Sequence, residues 1–364
     1  MRSRPCGSGS WTTSTMPAPR LVWIPSADNA AINRARASCS LDWVIMGLNR
    51  EKPEREAMSI AIGYMPGAFG EGGSDHDYLR KLVEVGDKHD YDSLWLSDRI
   101  VGEKFSLEPM MACSMVLAYS DRLKVGTSVL AMPLRNPVVL AKQIATLDYL
   151  SQGRFFPAVG LGQEEPEEYE ACGVSKERRG PRTDEGIALM RRLWQEEDVT
   201  HEGEFFSCHN VTVTPKPYLQ PSTPVWIGGR SPAAARRVGR VGDGWLVSSA
   251  TPEEVKEGCG ILFETANEFN REIEDDHVGV LMGYYISDDV DDATEKAGRF
   301  VTRHRPDAHF TEFTAVGPVE KVAEYVQSYI DAGGSKFVMR PMCPADESME
   351  QLQILGEELL PQFH

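Results

Sequence analysis

The sequence predicts an α/β protein built on a TIM-like (β/α)8 barrel with insertions. From Met58 onward, eight short apolar segments alternate with helical ones. Strands of that kind need cover on both faces, as in a parallel sheet. Eight such units over about 300 residues fit a closed barrel better than an open doubly wound sheet. No shorter repeat is visible, which argues against a solenoid.

The predicted elements follow one another in a regular order. The strands lie at 59–65, 91–97, 122–130, 153–160, 224–229, 244–249, 278–287 and 335–341. The helices lie at 74–89, 107–120, 137–151, 178–197, 231–242, 252–271, near 289–300, at 318–333 and near 347–358. Residues 198–223 interrupt this alternation as a hairpin-like insertion with a proline-rich exit, and 302–314 are irregular.

Local signals mark where several helices begin and end. Ser74 is placed to cap the first helix, with Asp77 three residues on. Pro137 occupies the first position of the third helix, where its missing N–H costs nothing. The turn at 151–153 ends that helix, and Arg154 is expected to tie the helix to the sheet.

The composition excludes several classes of function. A formal net charge of −17 argues against a nucleic-acid-binding surface, so the expected partner is a small-molecule substrate. No run of 18 apolar residues is present, so no membrane-spanning segment is expected. Seven cysteines without a C-x-x-C pair indicate reduced thiols in a cytoplasmic protein rather than a disulfide framework.

Residues 1–57 differ from the predicted barrel domain at 58–364. They carry eight Lys and Arg against five Asp and Glu, and their Ser-, Arg- and Pro-rich start has no apolar periodicity. This composition is typical of disorder. A transit peptide is an alternative, although Asp28 and Asp42 weaken it. A further interpretation is that Met58 is the working start and that 1–57 are a mis-called extension.

The carboxyl ends of the predicted strands are where a barrel of this type places its active site. Gly160 and Gly162 end the fourth strand and Gly228 and Gly229 the fifth, and glycine lets a ligand touch the backbone. No Cys/His cluster lies at these ends, so no metal site is expected. No G-x-S-x-G motif is present either. With little reactive chemistry of its own, the chain is expected to use a borrowed cofactor.

The segment "IGGRSPAAARRVG" (227–239) is a candidate phosphate site. A strand ends in two glycines, and Ser231 then begins a helix whose free N–H groups and dipole attract an anion. Arg230 adds a charged donor suited to phosphate. The alternative is an ordinary strand-to-helix turn with a serine cap.

Four segments together resemble the luciferase-like monooxygenase family of flavin- and deazaflavin-dependent oxidoreductases. They are "PLRNPVVLAKQIATLD" (133–148), "ATLDYLSQGRFFPAVGLG" (145–162), "VTHEGEFFS" (199–207) and "PKPYLQPSTPVWIGGRSPAAARRVGRVGDGW" (215–245). The resemblance runs from about residue 58 to 342 and implies a flavin-type ring over the carboxyl ends of the strands. The phosphate of the cofactor would then lie near the "GGRS" segment. It also implies a bulge with a non-proline cis peptide at the end of the third strand, which by position falls at Thr127, Ser128 and Val129.

Three departures from the family pattern bear on chemistry. Leu161 stands where bacterial luciferases carry an arginine that grips the FMN phosphate. Arg99 stands where many deazaflavin enzymes carry a histidine after Ser-Asp. Gln163 precedes Glu164, whereas some of those enzymes place a glutamate directly after the glycines. The candidates for orienting the substrate or moving a proton are therefore Asp98, Arg99 and Glu164. The alternatives are an Asp98–Arg99 salt bridge and a solvated helix face for the glutamates at 164–168.

The expected function is hydride transfer between coenzyme F420 and a small organic substrate, with Leu161 favouring F420 over FMN. The first alternative is an FMN-dependent monooxygenase that receives reduced flavin from a partner reductase and uses O2. The second is a non-catalytic, flavin-binding barrel, because the histidine is missing. Family members are often dimers, so a homodimer is expected by analogy.

Overall fold

The computed structural model describes residues 60–66, 77–103, 105–301 and 305–363. The 1–57 extension, the capping role of Ser74 and the start of the predicted domain at Met58 lie outside these residues.

Thirteen strands are present in the described residues, eleven of them in one sheet and two in a hairpin. They are β1 (Ala61–Tyr64), β2 (Ser93–Leu96), β3 (Lys124–Thr127), β4 (Leu130–Ala131), β5 (Phe155–Phe156), β6 (Ala158–Gly160), β7 (Val199–Glu202), β8 (Ser207–Val211), β9 (Trp226–Gly228), β10 (Gly244–Ser248), β11 (Val278–Ile286), β12 (Thr314–Gly317) and β13 (Lys336–Pro341).

The α-helices of the described residues connect and cover these strands. They are α1 (Tyr78–Lys88), α2 (Pro109–Tyr119), α3 (Pro137–Ser151), α4 (Pro166–Ala171), α5 (Arg179–Gln195), α6 (Pro232–Val241), α7 (Pro252–Glu268), α8 (Val290–Gly298), α9 (Val319–Asp331) and α10 (Ala345–Ile354). None of them combines the length and the apolar composition that crossing a bilayer requires.

The large sheet is parallel and closes into the predicted eight-stranded ring. Two predicted strands are each split: the third into β3 and β4, and the fourth into β5 and β6. Because β3 pairs with β5 and β4 pairs with β6, the split strands still lie side by side. The ring continues from β6 through β9, β10, β11, β13, β1 and β2 to β3. The predicted barrel is confirmed.

Strand alternation separates an inner from an outer core. On β13, Phe337 and Met339 belong to the large cluster beneath the helices, while Val338 packs with Trp95 and Trp226 in a separate inner cluster. Neighbouring side chains on a strand point to opposite faces, so every second residue fills the barrel. The interior is therefore a packed core, and free space is confined to its ends.

Capping side chains stabilise the amino termini of helices that follow the carboxyl ends of the strands. The Asn136 side chain accepts hydrogen bonds from Val138 N–H and Val139 N–H at the start of α3. Thr251 and Glu254 form a capping box at the start of α7. Such caps satisfy backbone donors that have no partner within the helix.

Two elements fall outside the predicted strands and helices, although a helix at the glutamate run was an alternative. The short helix α4 lies within the glutamate run after the fourth strand, and β12 adds a parallel partner to β11 outside the ring. The predicted hairpin is confirmed, because β7 and β8 pair antiparallel. Arg154 is confirmed as a tie, since its guanidinium donates to the carbonyls of Ser120 and Leu123 between α2 and β3.

Candidate active site

The break between β3 and β4 contains the bulge that the resemblance implies. The Ser128–Val129 peptide bond is cis, as expected by position. The Val129 side chain lies against two glycines of the neighbouring strands. A Cβ added at Gly160 would lie 2.5 Å from one Val129 methyl, and one added at Gly228 would lie 2.6 Å from the other. The space beside these two glycines is therefore filled by Val129, which forms the surface of the rim there.

Thr127 and Ser128 differ in how their hydroxyl groups are satisfied. The Thr127 hydroxyl donates to the Ala158 carbonyl at 2.8 Å and accepts from Ala158 N–H at 3.0 Å, which joins the third and fourth strands. The Ser128 Oγ is buried and has no hydrogen-bond partner among the described residues. A buried hydroxyl without a partner is costly, so a polar group of a bound ligand would stabilise it.

Side chains of α4 and α5 hold the loop after β6 in place through hydrogen bonds. Gly162 has φ +82°, and a Cβ there would lie 2.6 Å from the Tyr169 hydroxyl. That hydroxyl donates to the carbonyls of Leu161 and Gln163. Arg179 also donates to the Gln163 carbonyl, at 2.7 Å. Gly162 thus serves a left-handed turn over Tyr169, a physical reason that the sequence alone did not reveal.

The "GGRS" segment forms the predicted strand-to-helix turn. Gly229 has φ +121°, and its carbonyl accepts a hydrogen bond from the Trp245 indole at 2.7 Å. The Ser231 hydroxyl accepts from Ala234 N–H and caps α6. Arg230 lies 3.7 Å from Glu254, with about a third of its side chain exposed. The turn thus places a helix amino terminus at the rim, together with an arginine whose charge Glu254 partly compensates.

Asp98 is fully engaged with protein groups. It pairs with Arg135 at 2.8 Å and also accepts from Ala131 N–H at 2.9 Å. Burial raises the pKa of Asp98, while Arg135 and the Ala131 N–H oppose that rise. The alternative of an Asp98–Arg99 salt bridge is wrong, because the loop after β4 brings Arg135 to this carboxylate instead.

Arg99 and Glu164 lie at the edge of the mouth. The Arg99 Nε donates to the Val101 carbonyl at 2.9 Å, and its guanidinium is 3.9 Å from Glu165. Glu164 is largely exposed and pairs with Lys176 and Arg179. Hydrogen bonds from these two cations lower the pKa of Glu164 to about 2, so it stays ionised near neutral pH.

Glu168 is a site residue that sequence reasoning missed. Its side chain is buried, and one carboxylate oxygen accepts from Ile100 N–H at 2.7 Å and from Val101 N–H at 3.3 Å. It therefore holds the loop after β2 beside the rim. The expectation that the glutamates at 164–168 form one solvated helix face is wrong for Glu168. No local signal marked this, because the loop that Glu168 contacts lies about 67 residues earlier in the sequence.

A second missed cluster lies at the start of α7. Arg305 makes two hydrogen bonds to Glu254, one to each carboxylate oxygen, at 2.7 Å. It also donates to the Ser249 carbonyl and pairs with Asp307. The cluster holds the irregular segment that begins at 305 against the end of β10. Arg305 and Glu254 are about fifty residues apart, so no local pattern in the sequence indicated that they would pair.

Two cavities lie near the carboxyl ends of the strands. The larger has a volume of about 410 Å³ and sits beside the rim, between the start of α3, α5 and the β7–β8 hairpin. The smaller, about 40 Å³, lies in the mouth itself at the ends of β10, β11 and β13. Neither Gly228 nor the cap of α6 lines the larger cavity, so we place the site at the rim.

In the described residues, three side chains have possible metal-ligand atoms within 4.8 Å of one another: Glu274, Asp276 and His277. They lie at the amino end of β11, away from the mouth, and His277 Nδ1 is hydrogen-bonded to the Asp243 carbonyl.

The five described cysteines are free thiols.

Comparison with known proteins settles the family. The profile described as luciferase-like monooxygenase matches residues 57–315, which include the bulge, the "GGRS" turn and seven strands of the ring. The chain belongs to the luciferase-like monooxygenase family. The resemblance inferred from the four sequence segments is confirmed.

Named relatives are similar to this chain over different lengths. An F420-dependent glucose-6-phosphate dehydrogenase of Rhodococcus erythropolis is 28% identical over 346 residues, covering 84% of this chain and 98% of that protein. The enzyme of the same name from Kineococcus radiotolerans is 34% identical over 166 residues, covering 43% of this chain and 48% of that protein. This second match therefore spans about half the length of the relative.

Solved structures show the same luciferase-like fold with either of two cofactors. An F420-dependent secondary alcohol dehydrogenase in complex with an F420–acetone adduct has a TM-score of 0.73, with 22% identity over 84% of this chain and 100% of that one. The oxygenating constituent of 3,6-diketocamphane monooxygenase from Pseudomonas putida, in complex with FMN, has a TM-score of 0.69 and 16% identity. It covers 84% of this chain and 98% of that one. At these identities the likeness shows the fold.

Proposed function

We propose that this luciferase-like protein is an F420-dependent oxidoreductase acting on a small organic substrate. The observation that carries the proposal is the rim in which Val129 lies between Gly160 and Gly228, on three neighbouring strands. Such a rim offers a flat ring one apolar side chain, Val129, to rest against. When bound, the deazaflavin supplies a hydride donor or acceptor at C5, which the side chains of this barrel lack.

The choice of F420 is supported by sequence and by relatives. Relatives with F420 in their names match this chain over most of its length. Leu161 replaces the arginine that grips the FMN phosphate in bacterial luciferases. In this chain the position contributes its backbone carbonyl to Tyr169 rather than a charged side chain.

Gly229, Arg230 and Ser231 are proposed to hold the cofactor phosphate. The capped start of α6 and the Arg230 guanidinium both favour an anion there. Glu254 lies close enough to orient Arg230 while leaving it partly exposed.

The remaining residues are proposed to position the mouth and to keep water out. Asp98 and Arg135 fix Ala131 after the bulge, and Glu168 fixes the loop after β2. With both carboxylate oxygens bonded, Asp98 fits a positioning role better than proton transfer. Glu164, held ionised, cannot serve as a general acid near neutral pH. Arg99 remains a candidate ligand for an anionic group.

An FMN-dependent monooxygenase served by a partner reductase is the second candidate. It is favoured by the FMN-bound oxygenase that shares the fold. The third is a non-catalytic flavin-binding barrel.

One assay separates these functions. The full chain is incubated with F420 or with FMN and desalted, and the retained absorbance is measured. Oxygen uptake is then followed with reductant. We expect retained F420 without oxygen consumption. Retained FMN with oxygen uptake would support the monooxygenase, and retained FMN without oxygen uptake would favour the binding barrel. Retention of neither cofactor would remove all three functions.

We also propose that the protein is a cytoplasmic homodimer. The α2 segment contains no charged residue over its eleven positions, yet Met111 and Met115 are exposed on it. Val139 and Leu150 of α3 are exposed as well. A helix that is apolar all round is usually buried, and a second copy of this chain would cover this surface.

A further inference from the structure

Arg340 is a charged side chain that faces the inside of the barrel mouth. It lies two residues beyond Val338, whose side chain belongs to the inner core, so strand alternation turns it inward. Its register partner on β11 is Gly283. Together with Ser249 and Thr314, it lines the small cavity at the ends of β10, β11 and β13.

The charge of Arg340 is not compensated within the described part of the chain. Its Nε is buried without a hydrogen-bond partner, and no carboxylate there pairs with it. Other arginines near the mouth do have partners: Arg135 pairs with Asp98, and Arg305 with Glu254. Burial lowers the pKa of Arg340, although an arginine remains charged at neutral pH. A buried guanidinium N–H without a partner in the described residues costs stability, so an acceptor on a bound ligand would stabilise it.

The position of Arg340 points to the substrate rather than to the cofactor. Around the ring, β13 lies opposite β6, and two strands, β10 and β11, separate it from β9 and the "GGRS" turn. Arg340 therefore lies across the mouth from the rim that Val129 and Gly160 form. Space between Arg340 and the rim at Val129 is where a molecule reacting with the ring would lie.

We propose that Arg340 binds an oxyanion, a carboxylate or a phosphate, of the substrate. This inference rests on the proposed function and adds the substrate class: a small anionic molecule whose charged group binds at the carboxyl end of β13, beside Arg340. The Ser249 and Thr314 hydroxyls in the same cavity are further donors for that group. A guanidinium presents several donors in a plane, which suits either oxyanion.

The first experiment measures binding of inorganic phosphate by calorimetry to the full chain, with and without F420. Arg340→Met should weaken phosphate binding about tenfold or more, because a charge-assisted hydrogen bond is lost. Arg340→Lys should retain part of the affinity. The control Arg299→Met, which removes an exposed arginine on α8, should bind as the parent does. Equal binding by the parent and Arg340→Met would overturn the proposal.

The second experiment compares turnover of glucose 6-phosphate and glucose with F420 bound. The parent should prefer the phosphate by about tenfold or more in kcat/KM, mainly through KM, and Arg340→Met should lose that preference. No preference in the parent would overturn the inference. If F420 is not retained at all, the proposed function fails, whereas the calorimetric result still tests Arg340.

Thermal denaturation distinguishes binding from a structural role. Since the Arg340 Nε is buried without a partner in the described residues, Arg340→Met should leave the melting temperature unchanged or raise it. Phosphate should raise the melting temperature of the parent and not that of the variant. A marked fall in the melting temperature of Arg340→Met would indicate a structural role and contradict the proposal.

Discussion

Val129 shows how a single residue gives the rim its shape. The sequence indicated that Gly160 and Gly228 matter, and it suggested a ligand as the reason. In the structure their missing side chains leave room for the two methyl groups of Val129. Alanine at either position would overlap these methyls, so the two glycines and Val129 form one packing unit.

Gly228→Ala tests this packing unit. We expect it to destabilise the protein by about 1–3 kcal/mol, the usual cost of overpacking, and to weaken F420 retention. Val129→Ala removes the methyls that collide. The double variant should therefore recover most of the stability lost by Gly228→Ala.

The measurement is a double-mutant cycle on the free energy of unfolding in urea. Additive losses in the double variant would mean that Gly228 does not depend on Val129. Gly260→Ala is the control, because nothing lies within 4 Å of a Cβ added there.

Glu254 links two elements, since it caps α7 and binds Arg305 of the irregular segment. Burial alone raises the pKa of Glu254, but hydrogen bonds from Arg305 and from Thr251 N–H outweigh it and lower the pKa. A carboxylate with a lowered folded-state pKa stabilises the protein above its unfolded pKa of about 4.3. That contribution is lost as the pH falls through the folded-state value.

Glu254→Gln should therefore lose about 1–3 kcal/mol of stability at pH 7, in line with hydrogen bonds to charged groups. The difference from the parent should shrink as the pH is lowered below about 4. Urea denaturation at several pH values measures it. The control is Glu253→Gln, an exposed neighbour on the same helix. A difference that is independent of pH would exclude the ionised Glu254 as its source.

At the scale of the whole molecule, the uncovered apolar surface of α2 and α3 predicts self-association. Met111→Glu combined with Met115→Glu should convert the dimer to a monomer, because burying two carboxylates in an apolar interface is costly. Light scattering during size-exclusion chromatography measures the mass, and circular dichroism verifies the fold. Matched substitutions on exposed Glu320 and Glu324 of α9 to Gln should leave the mass unchanged. A monomeric parent protein would contradict the prediction.

The barrel and the family were within reach of the sequence, whereas much of the site was not. Apolar strands and capped helices are local signals, so α3 was predicted to the residue at Pro137–Ser151. The breaks in the third and fourth strands, at Ser128–Val129 and at Pro157, are also local features. Their effect on strand pairing, however, depends on the neighbouring strand. Asp98 was named from the sequence as a candidate for orienting the substrate or moving a proton, but its partner Arg135 is 37 residues away and had no local signal.

The sequence by itself determined that this is a parallel (β/α)8 barrel of the luciferase-like family with a glycine-rich rim, because periodicity, caps and motifs are written in neighbouring residues. Only the tertiary structure decided which charges are neutralised. Ring closure brings Arg135 to Asp98 and Arg305 to Glu254, and it leaves Arg340 beside Gly283 without a carboxylate in the described residues. Electrostatic energy depends on distance and burial, and neither follows from order along the chain.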